Sequence, residues 1–471
     1  MDLSHPSPLT AAFASAQAAY EAQRNPDLKA RRAHLKTLER LLLDNQAALA
    51  AAISADFSGR STHETELLEF FPSLGAIRHA SRHLRAWMKP KRSWASLWFL
   101  PARNEIRPQP LGVVGIIVPW NYPILLAVSP LVGALAAGNQ VLIKMSEFTP
   151  QTGALFAELI HQAFPRGQVR VINGGADVAE AFSALPFDHL LFTGSTAVGH
   201  HVMRAAATNL TPVTLELGGK SPALVGPECD MREAAEKILF GKCLNAGQTC
   251  IAPDYALLPA GSEQTFLGAA KAVIASLYPT LAANPDYTSI INPRHHDRLM
   301  GYLADAAAKG ATITPVNPAR EALDATQKIA PTLVTGVSDD MRLMQDEIFG
   351  PILPIKTYSS LDEAIAYINR HPRPLALYYF GRNRTHINHV LDNTVAGGVT
   401  LNDTILHISQ DQLPFGGVGP AGMGAYHGRY GFETFSHMKP IFDQPALNGL
   451  GLFKPPYGKR FEALVKLLLR F

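Results

Sequence analysis

Phe192-Thr193-Gly194-Ser195-Thr196-Ala197-Val198-Gly199 joins two textures: the apolar run 189–192 before it and a helical pattern after it. A strand that runs through a glycine turn into a helix leaves unpaired backbone N–H groups at the positive end of the helix dipole, a place that attracts phosphate. The spacing is not G-x-G-x-x-G, and alone it reads better as a plain strand-to-helix turn. Its neighbours decide the matter. Residues 113–118, 140–145, 169–172 and 213–217 are further buried strands, with helices between them. One helix covers 123–137, and another begins at Thr149-Pro150, with Thr149 as N-cap and Pro150 in the first turn. This alternation predicts an α/β fold with a mostly parallel sheet covered on both faces.

Outward from this run the texture changes twice. Residues 8–88 are helical, with Leu35, Leu38, Leu41 and Leu42 at helical spacing. Residues 91–110 hold Pro101, Pro108 and Pro110 with Trp94, Trp98 and Phe99, which suggests an extended arm. The chain has 471 residues, enough for about three domain-sized units. Its 42 basic and 39 acidic residues leave a net charge of +3, too little to argue for nucleic acid. Three cysteines, Cys229, Cys243 and Cys250, make no disulfide framework and suggest a reducing compartment, the cytoplasm. Their spacing is no metal site, and no apolar run reaches the ~20 residues that cross a bilayer.

Residues with chemical potential sit where the predicted strands end, the usual place for ligands in such sheets. Lys144 and Glu147 follow the strand 140–145; a carboxylate there can hold ribose hydroxyls and would repel a 2′-phosphate. Asn121, in Pro119-Trp120-Asn121-Tyr122-Pro123, follows the strand 113–118, and its amide could donate to an oxyanion. Glu216, in Leu215-Glu216-Leu217-Gly218-Gly219-Lys220, is a carboxylate at a strand end with room for a flat ring beside it. Cys250 closes Gly247-Gln248-Thr249-Cys250 and offers the best neutral-pH nucleophile. For Cys229 and Cys243 the better reading is an inert buried thiol.

In order and wording these segments, with Glu347-Ile348-Phe349-Gly350-Pro351, resemble the aldehyde dehydrogenase superfamily over nearly the whole chain. The resemblance implies that Cys250 is the nucleophile, Glu216 the general base and Asn121 the oxyanion donor. It implies NAD as cofactor, with NADP tolerated. Lys144 and Glu147 would clamp the adenosine ribose, Gly194 and Ser195 the pyrophosphate. Glu347 and Phe349 would hold the nicotinamide ribose and ring, with Trp120, Leu217 and Gly218 beside them. The tail from Leu413-Pro414-Phe415-Gly416 to His427-Gly428 resembles the class 3 branch, and within it Leu401-Asn402-Asp403-Thr404 and Pro455-Pro456-Tyr457-Gly458-Lys459 are similar to bacterial coniferyl aldehyde dehydrogenases. Ala421 departs from the Ser common there. The implied architecture is a Rossmann-like NAD-binding domain (1–90 and 111–216), a catalytic α/β domain (217–420), and an oligomerisation arm (91–110 and 434–443) that makes a homodimer, followed by the tail 444–471.

The alternatives are a scaffold relative, an acyl-transferring relative that uses coenzyme A, and a cysteine protease. Cys250, Glu216 and Asn121 are all present, Glu216 favours hydrolysis, and no His lies near Cys250 in sequence. Tyr122, Thr249 and Ile251 are expected to line a pocket that suits an aromatic aldehyde such as coniferaldehyde or, alternatively, a medium- or long-chain aliphatic one. In 459–471, Phe461, Leu464, Val465 and Leu468 share one helical face among basic residues. That helix would pack on the protein or shape the mouth of the pocket, with contact to an anionic membrane surface as the weaker reading.

Overall fold

The computed structural model describes residues 8–96 and 99–470. Trp98 of the arm, residues 1–7 and Phe471 lie outside the described residues. Five strands form a parallel sheet in the order Val213–Glu216, His189–Thr193, Val113–Ile117, Gln140–Lys144, Val169–Ile172. The two-residue strand Gly422–Met423 joins antiparallel beside Val213–Glu216. The inner strands, such as Val113-Val114-Gly115-Ile116-Ile117, are buried along their whole length, as near-continuous apolar runs in parallel sheets are. The chain winds from Val113–Ile117 to one side and returns to pair His189–Thr193 on the other. The strand order reverses there, and the carboxyl ends of the two strands at such a reversal are where sheets of this kind hold ligands. The predicted parallel sheet with helices on both faces is the one observed.

Helix Leu125–Ala137 is buried on nearly every side, so its composition is apolar all round. Its Gly133 meets the chain at Gly431, where a Cβ would come within 3.0 Å of the carbonyl carbon. One local expectation fails. Thr149 occupies the N-cap of helix Pro150–Ala163 but makes no side-chain cap bond. Asp56 caps it instead, accepting from Gln151 N at 3.0 Å and Thr152 N at 2.9 Å. A carboxylate from a distant helix has taken the orphan donors that the local hydroxyl was expected to satisfy.

A second sheet has seven strands in the order Thr312–Pro315, Thr332–Thr335, Ile352–Tyr358, Tyr255–Pro259, Pro222–Val225, Ala376–Phe380, Gly398–Leu401. It is parallel except at its first pair. The region 91–110 forms strands Lys91–Trp94 and Arg103–Pro110, and the latter pairs antiparallel with Ser436–Asp443 along eight residues. No helix among the described residues is long and apolar enough to cross a membrane. The terminal helix spans Lys459–Leu468; Phe461, Leu464, Val465 and Leu468 are half-buried.

Candidate active site

The carboxyl ends of the first sheet bring most of the sequence-selected residues to one edge. Lys144 closes its strand almost fully buried, at 1 % exposure, and its ammonium donates to the carbonyls of Met145 (2.7 Å) and Gly174 (2.8 Å). Burial lowers its pKa, and the nearby Glu147 charge opposes that shift. A lysine has three N–H groups, so one remains for a ligand. Glu147 stands exposed in the following turn. Gly194 and Ser195 form the turn into helix Thr196–Ala207, where the Ser195 hydroxyl caps by accepting from Val198 N. Leu217 packs on Gly199 of that helix, where a Cβ would come within 2.7 Å of Leu217 Cδ2. The Leu217 backbone N–H donates to the carbonyl of Ala421.

The Cys250 loop comes from the second sheet's side. Helix Met231–Cys243 ends, and Asn245, Ala246 and Gly247 follow with φ of 51°, 51° and 75°. Three consecutive left-handed residues, two of them with a Cβ, are costly and need outside support. The support is on the page. Glu64 accepts from Asn245 N at 3.1 Å, and Gln248 Nε2 donates to the carbonyls of Asn245 (2.9 Å) and Ser289 (3.0 Å). At Gly247 a Cβ would lie 2.3 Å from the carbonyl oxygen of Gly350, so only glycine lets the Cys250 loop meet the Glu347 loop.

Cys250 faces a cavity of about 260 Å³ whose walls also include Tyr122, Thr249 and Ile251, as expected. The Tyr122 hydroxyl and the Thr249 hydroxyl bond each other at 2.6 Å. Burial pushes the Cys250 thiol up to about 12, with the Glu347 and Glu216 carboxylates adding to the shift; the N–H groups of Cys250 and Ile251 pull the other way. Cys243 is pushed equally high and Cys229 to about 11. Acidity therefore does not single out Cys250. What does is its place on the cavity wall, where the charges of Glu347 and Glu216 act on it.

Glu216 is 2 % exposed, neither carboxylate oxygen has a hydrogen-bond partner, and burial raises its pKa well above the carboxylate range. Glu347 is raised to about 8, by burial first and then by Asp254, while the N–H of Gly219 steadies its charge. Its carboxylate lies over Gly218, where a Cβ would come within 2.0 Å of Oε2, and its Oε1 is a buried acceptor without a partner. Phe349, at φ 50°, and Trp120 lie edge to face at 5.3 Å. Asn121, 3 % exposed, spends one amide hydrogen on the Gln248 carbonyl at 3.1 Å and keeps the other uncommitted. These residues fit a dinucleotide laid along the strand ends: a lysine donor in reserve, a capped helix start and an orphan acceptor on Glu347, held close over the Gly218 backbone.

Other groups were not singled out from the sequence. Lys220 pairs with Asp254 and donates to the carbonyls of Leu343 (2.7 Å) and Asp346 (2.9 Å); Asp254 in turn accepts from Ile348 N at 3.0 Å. Together they bracket Glu347. Lys242 is buried with no partner for its ammonium, and burial lowers it to about 8. Arg60 pairs with Glu69 at 3.0 Å, both side chains wholly buried, behind Asn121. Nothing in the local sequence marks Arg60, because its partners are supplied by the fold.

The comparisons with known proteins agree with this geometry. The family model described as "Aldehyde dehydrogenase family" matches residues 3–441. A Pseudomonas aeruginosa protein named "Probable coniferyl aldehyde dehydrogenase" is 55 % identical over 98 % of this chain and 96 % of its own. The mouse protein named aldehyde dehydrogenase family 3 member A2 is 43 % identical over 95 % of this chain and 90 % of its own. The crystal structure of an NAD-dependent aldehyde dehydrogenase from Sinorhizobium meliloti superposes with a TM-score of 0.85 at 28 % identity, covering 96 % of this chain and 88 % of that one. Fold, site and relatives lead to one assignment: the chain belongs to the aldehyde dehydrogenase family.

Proposed function

We propose that the chain oxidises an aldehyde to its carboxylic acid with NAD, through a covalent intermediate on Cys250, and that the aldehyde is coniferaldehyde or a similar aromatic one. The observation that carries the chemistry is a thiol on the wall of an apolar cavity that feels the charges of two carboxylates, the half-buried Glu347 and the buried Glu216, the latter with no partner on either oxygen. Cys250 Sγ adds to the aldehyde carbon, and its proton passes to a neighbouring carboxylate. The uncommitted amide hydrogen of Asn121 and the Cys250 N–H hold the oxygen of the thiohemiacetal. Bound along the strand ends, NAD supplies the acceptor for the hydride that this carbon gives up. The carbon is then a thioester of Cys250. Glu216 takes a proton from water, the hydroxide adds, the C–S bond breaks, and the acid leaves as the thiol is restored.

Lys144 and Glu147 would hold the adenosine ribose, Gly194 and Ser195 the pyrophosphate. Glu347, Phe349, Trp120, Leu217 and Gly218 would surround the nicotinamide half. The exposed Glu147 favours NAD over NADP. The first sheet supports a NAD-binding domain of 1–90 and 111–216, and the second a catalytic domain of 217–420. The small three-stranded sheet supports a dimer-forming arm of 91–110 and 434–443, because it leaves strands at its edges for another chain. A free-thiol chemistry suits the cytoplasm.

The substrate reading rests on the coniferyl name of the Pseudomonas relative and on an apolar cavity that accepts a flat ring. A second reading, a medium- or long-chain aliphatic aldehyde, draws on the mouth, where Leu67, Phe71 and Leu406 are 53 %, 69 % and 48 % exposed. The deciding experiment compares kcat/KM for coniferaldehyde with a C8–C12 aliphatic series, following NADH and the acid without coenzyme A. A higher value for every aliphatic member would overturn the aromatic reading. No NADH with any aldehyde would overturn the activity itself.

A further inference from the structure

The cavity in front of Cys250 is apolar on most of its wall, so its few polar side chains are informative. Most are already committed. Tyr122 and Thr249 bond each other. Ser129 bonds Tyr426, and the His427 ring bonds the Ile408 carbonyl. Ser409 is exposed at the rim. Asp411 differs. It lines the same cavity, is half-buried, and its carboxylate accepts no hydrogen bond among the described residues. The facing charge is His83, too distant to form an ion pair; burial raises the Asp411 pKa and His83 only partly offsets it. The segment is held in place from behind, since at Gly428 a Cβ would come within 1.9 Å of the Asp411 carbonyl oxygen.

A carboxylate partly withdrawn from water and without a donor gains from any ligand that brings one. An alkyl chain brings none and would bury the charge further. An aromatic aldehyde with a ring hydroxyl brings a donor at a fixed distance from its aldehyde carbon, because ring and conjugated side chain are rigid. We infer that Asp411 is the residue that sets substrate preference, accepting a hydrogen bond from the ring hydroxyl of an aromatic aldehyde whose carbonyl carbon lies at Cys250. This rests on the aromatic reading above and sharpens it to hydroxylated aromatic aldehydes.

The test compares coniferaldehyde with its 4-O-methyl ether, 3,4-dimethoxycinnamaldehyde, which has the same skeleton and no ring donor. The native enzyme should favour the free phenol in kcat/KM by on the order of 10- to 100-fold, the worth of one hydrogen bond to a charged group. In Asp411→Leu that ratio should collapse towards one, and in Asp411→Asn, which keeps an acceptor but loses the charge, it should lie between. An unchanged ratio in Asp411→Leu overturns the inference while leaving the aromatic reading standing. A native ratio near one also overturns it and needs no variant to fold. If the native enzyme prefers every aliphatic aldehyde to both aromatic ones, the substrate reading falls and takes this inference with it.

Discussion

Arg60 donates from Nη1 to the carbonyl oxygen of Asn121 at 2.8 Å, and both residues are buried. The same guanidinium pairs with Glu69, whose other oxygen accepts from the N–H groups of Ile124 (2.7 Å) and Leu125 (3.1 Å). One buried ion pair therefore holds the Asn121 loop at its carbonyl and at the start of the next helix. Asn245 Nδ2 also reaches the Asn121 carbonyl, and the Gln248 carbonyl, at 3.1 Å each. Asn121 and the Cys250 loop, the proposed oxyanion donor and nucleophile, are thus bolted to one frame, the kind of support that fixed catalytic geometry requires.

Arg60→Met should lower stability by about 3–5 kcal/mol, because it strands the Glu69 charge. Adding Glu69→Gln removes that charge and keeps an acceptor for the helix start, so much of the stability should return. Turnover should not: kcat should stay down at least about tenfold, the cost of a misplaced donor, with KM changed much less. Chemical denaturation and steady-state kinetics on the single and double variants check this. If kcat recovers together with stability, Arg60 only maintains the fold.

Cys250→Ala should abolish NADH formation while NAD still binds, as read by protein fluorescence. Glu216→Gln should acylate and stall, giving a burst of about one NADH per site under rapid mixing. Asn121→Ala should lose about 10²–10³-fold in kcat, the usual cost of one oxyanion donor. A normal steady-state rate in Glu216→Gln would move the base to Glu347, whose charge also acts on the thiol.

Both carboxylates hold their protons longer in the folded protein than in the unfolded chain, Glu347 up to about 8 and Glu216 beyond the carboxylate range. The folded state then binds more protons across the window from the ordinary value of 4.5 to about 8. Their contribution to stability is present below that window and lost as pH rises through it. Glu347→Gln removes the loss. The Tm difference between variant and native enzyme should grow in the variant's favour from about pH 5 to about pH 8.5, by a few degrees. A flat difference would mean that Glu347 ionises at its ordinary pH.

Much of this site was legible because its residues follow strands that the hydrophobic pattern already marked. Lys144, Gly194, Glu216 and Asn121 each sit within a few residues of a buried apolar run, and a doubly wound sheet gathers such ends on one edge. What stayed hidden was long-range pairing. Arg60, Lys220 and Asp254 act through partners that no local spacing predicts, and the Asp56 cap displaced a sound local expectation at Thr149 for the same reason. The order of the seven-stranded sheet was likewise set by packing across distant segments.

Glu147 stands exposed three positions after the buried Lys144, so its charge can meet a 2′-phosphate from the solvent side. Glu147→Gln should raise kcat/KM for NADP relative to NAD by about three- to tenfold, a modest gain because water screens an exposed charge. The gain should shrink with added salt. An unchanged ratio would assign the ribose to another acceptor.

The terminal helix Lys459–Leu468 gives the last prediction. Its predicted apolar face is half-covered within the subunit, and Phe461 packs on Tyr457 with ring centres 4.5 Å apart. None of its residues lines the cavity, so the expectation that it shapes the pocket mouth is not met within one chain. Leu467 and Leu469 remain 49 % and 82 % exposed, too little apolar surface for a stable hold on a bilayer even beside Lys459, Arg460 and Lys466. Full-length protein should therefore stay in the supernatant when anionic vesicles are sedimented at about 0.15 M salt, where charge attraction is screened beyond about 8 Å. Truncation after Gly458 should lower Tm and leave coniferaldehyde kinetics within about twofold, since the helix loses packing but touches no cavity wall. Pelleting that vanishes on truncation would show instead that the helix docks on lipid.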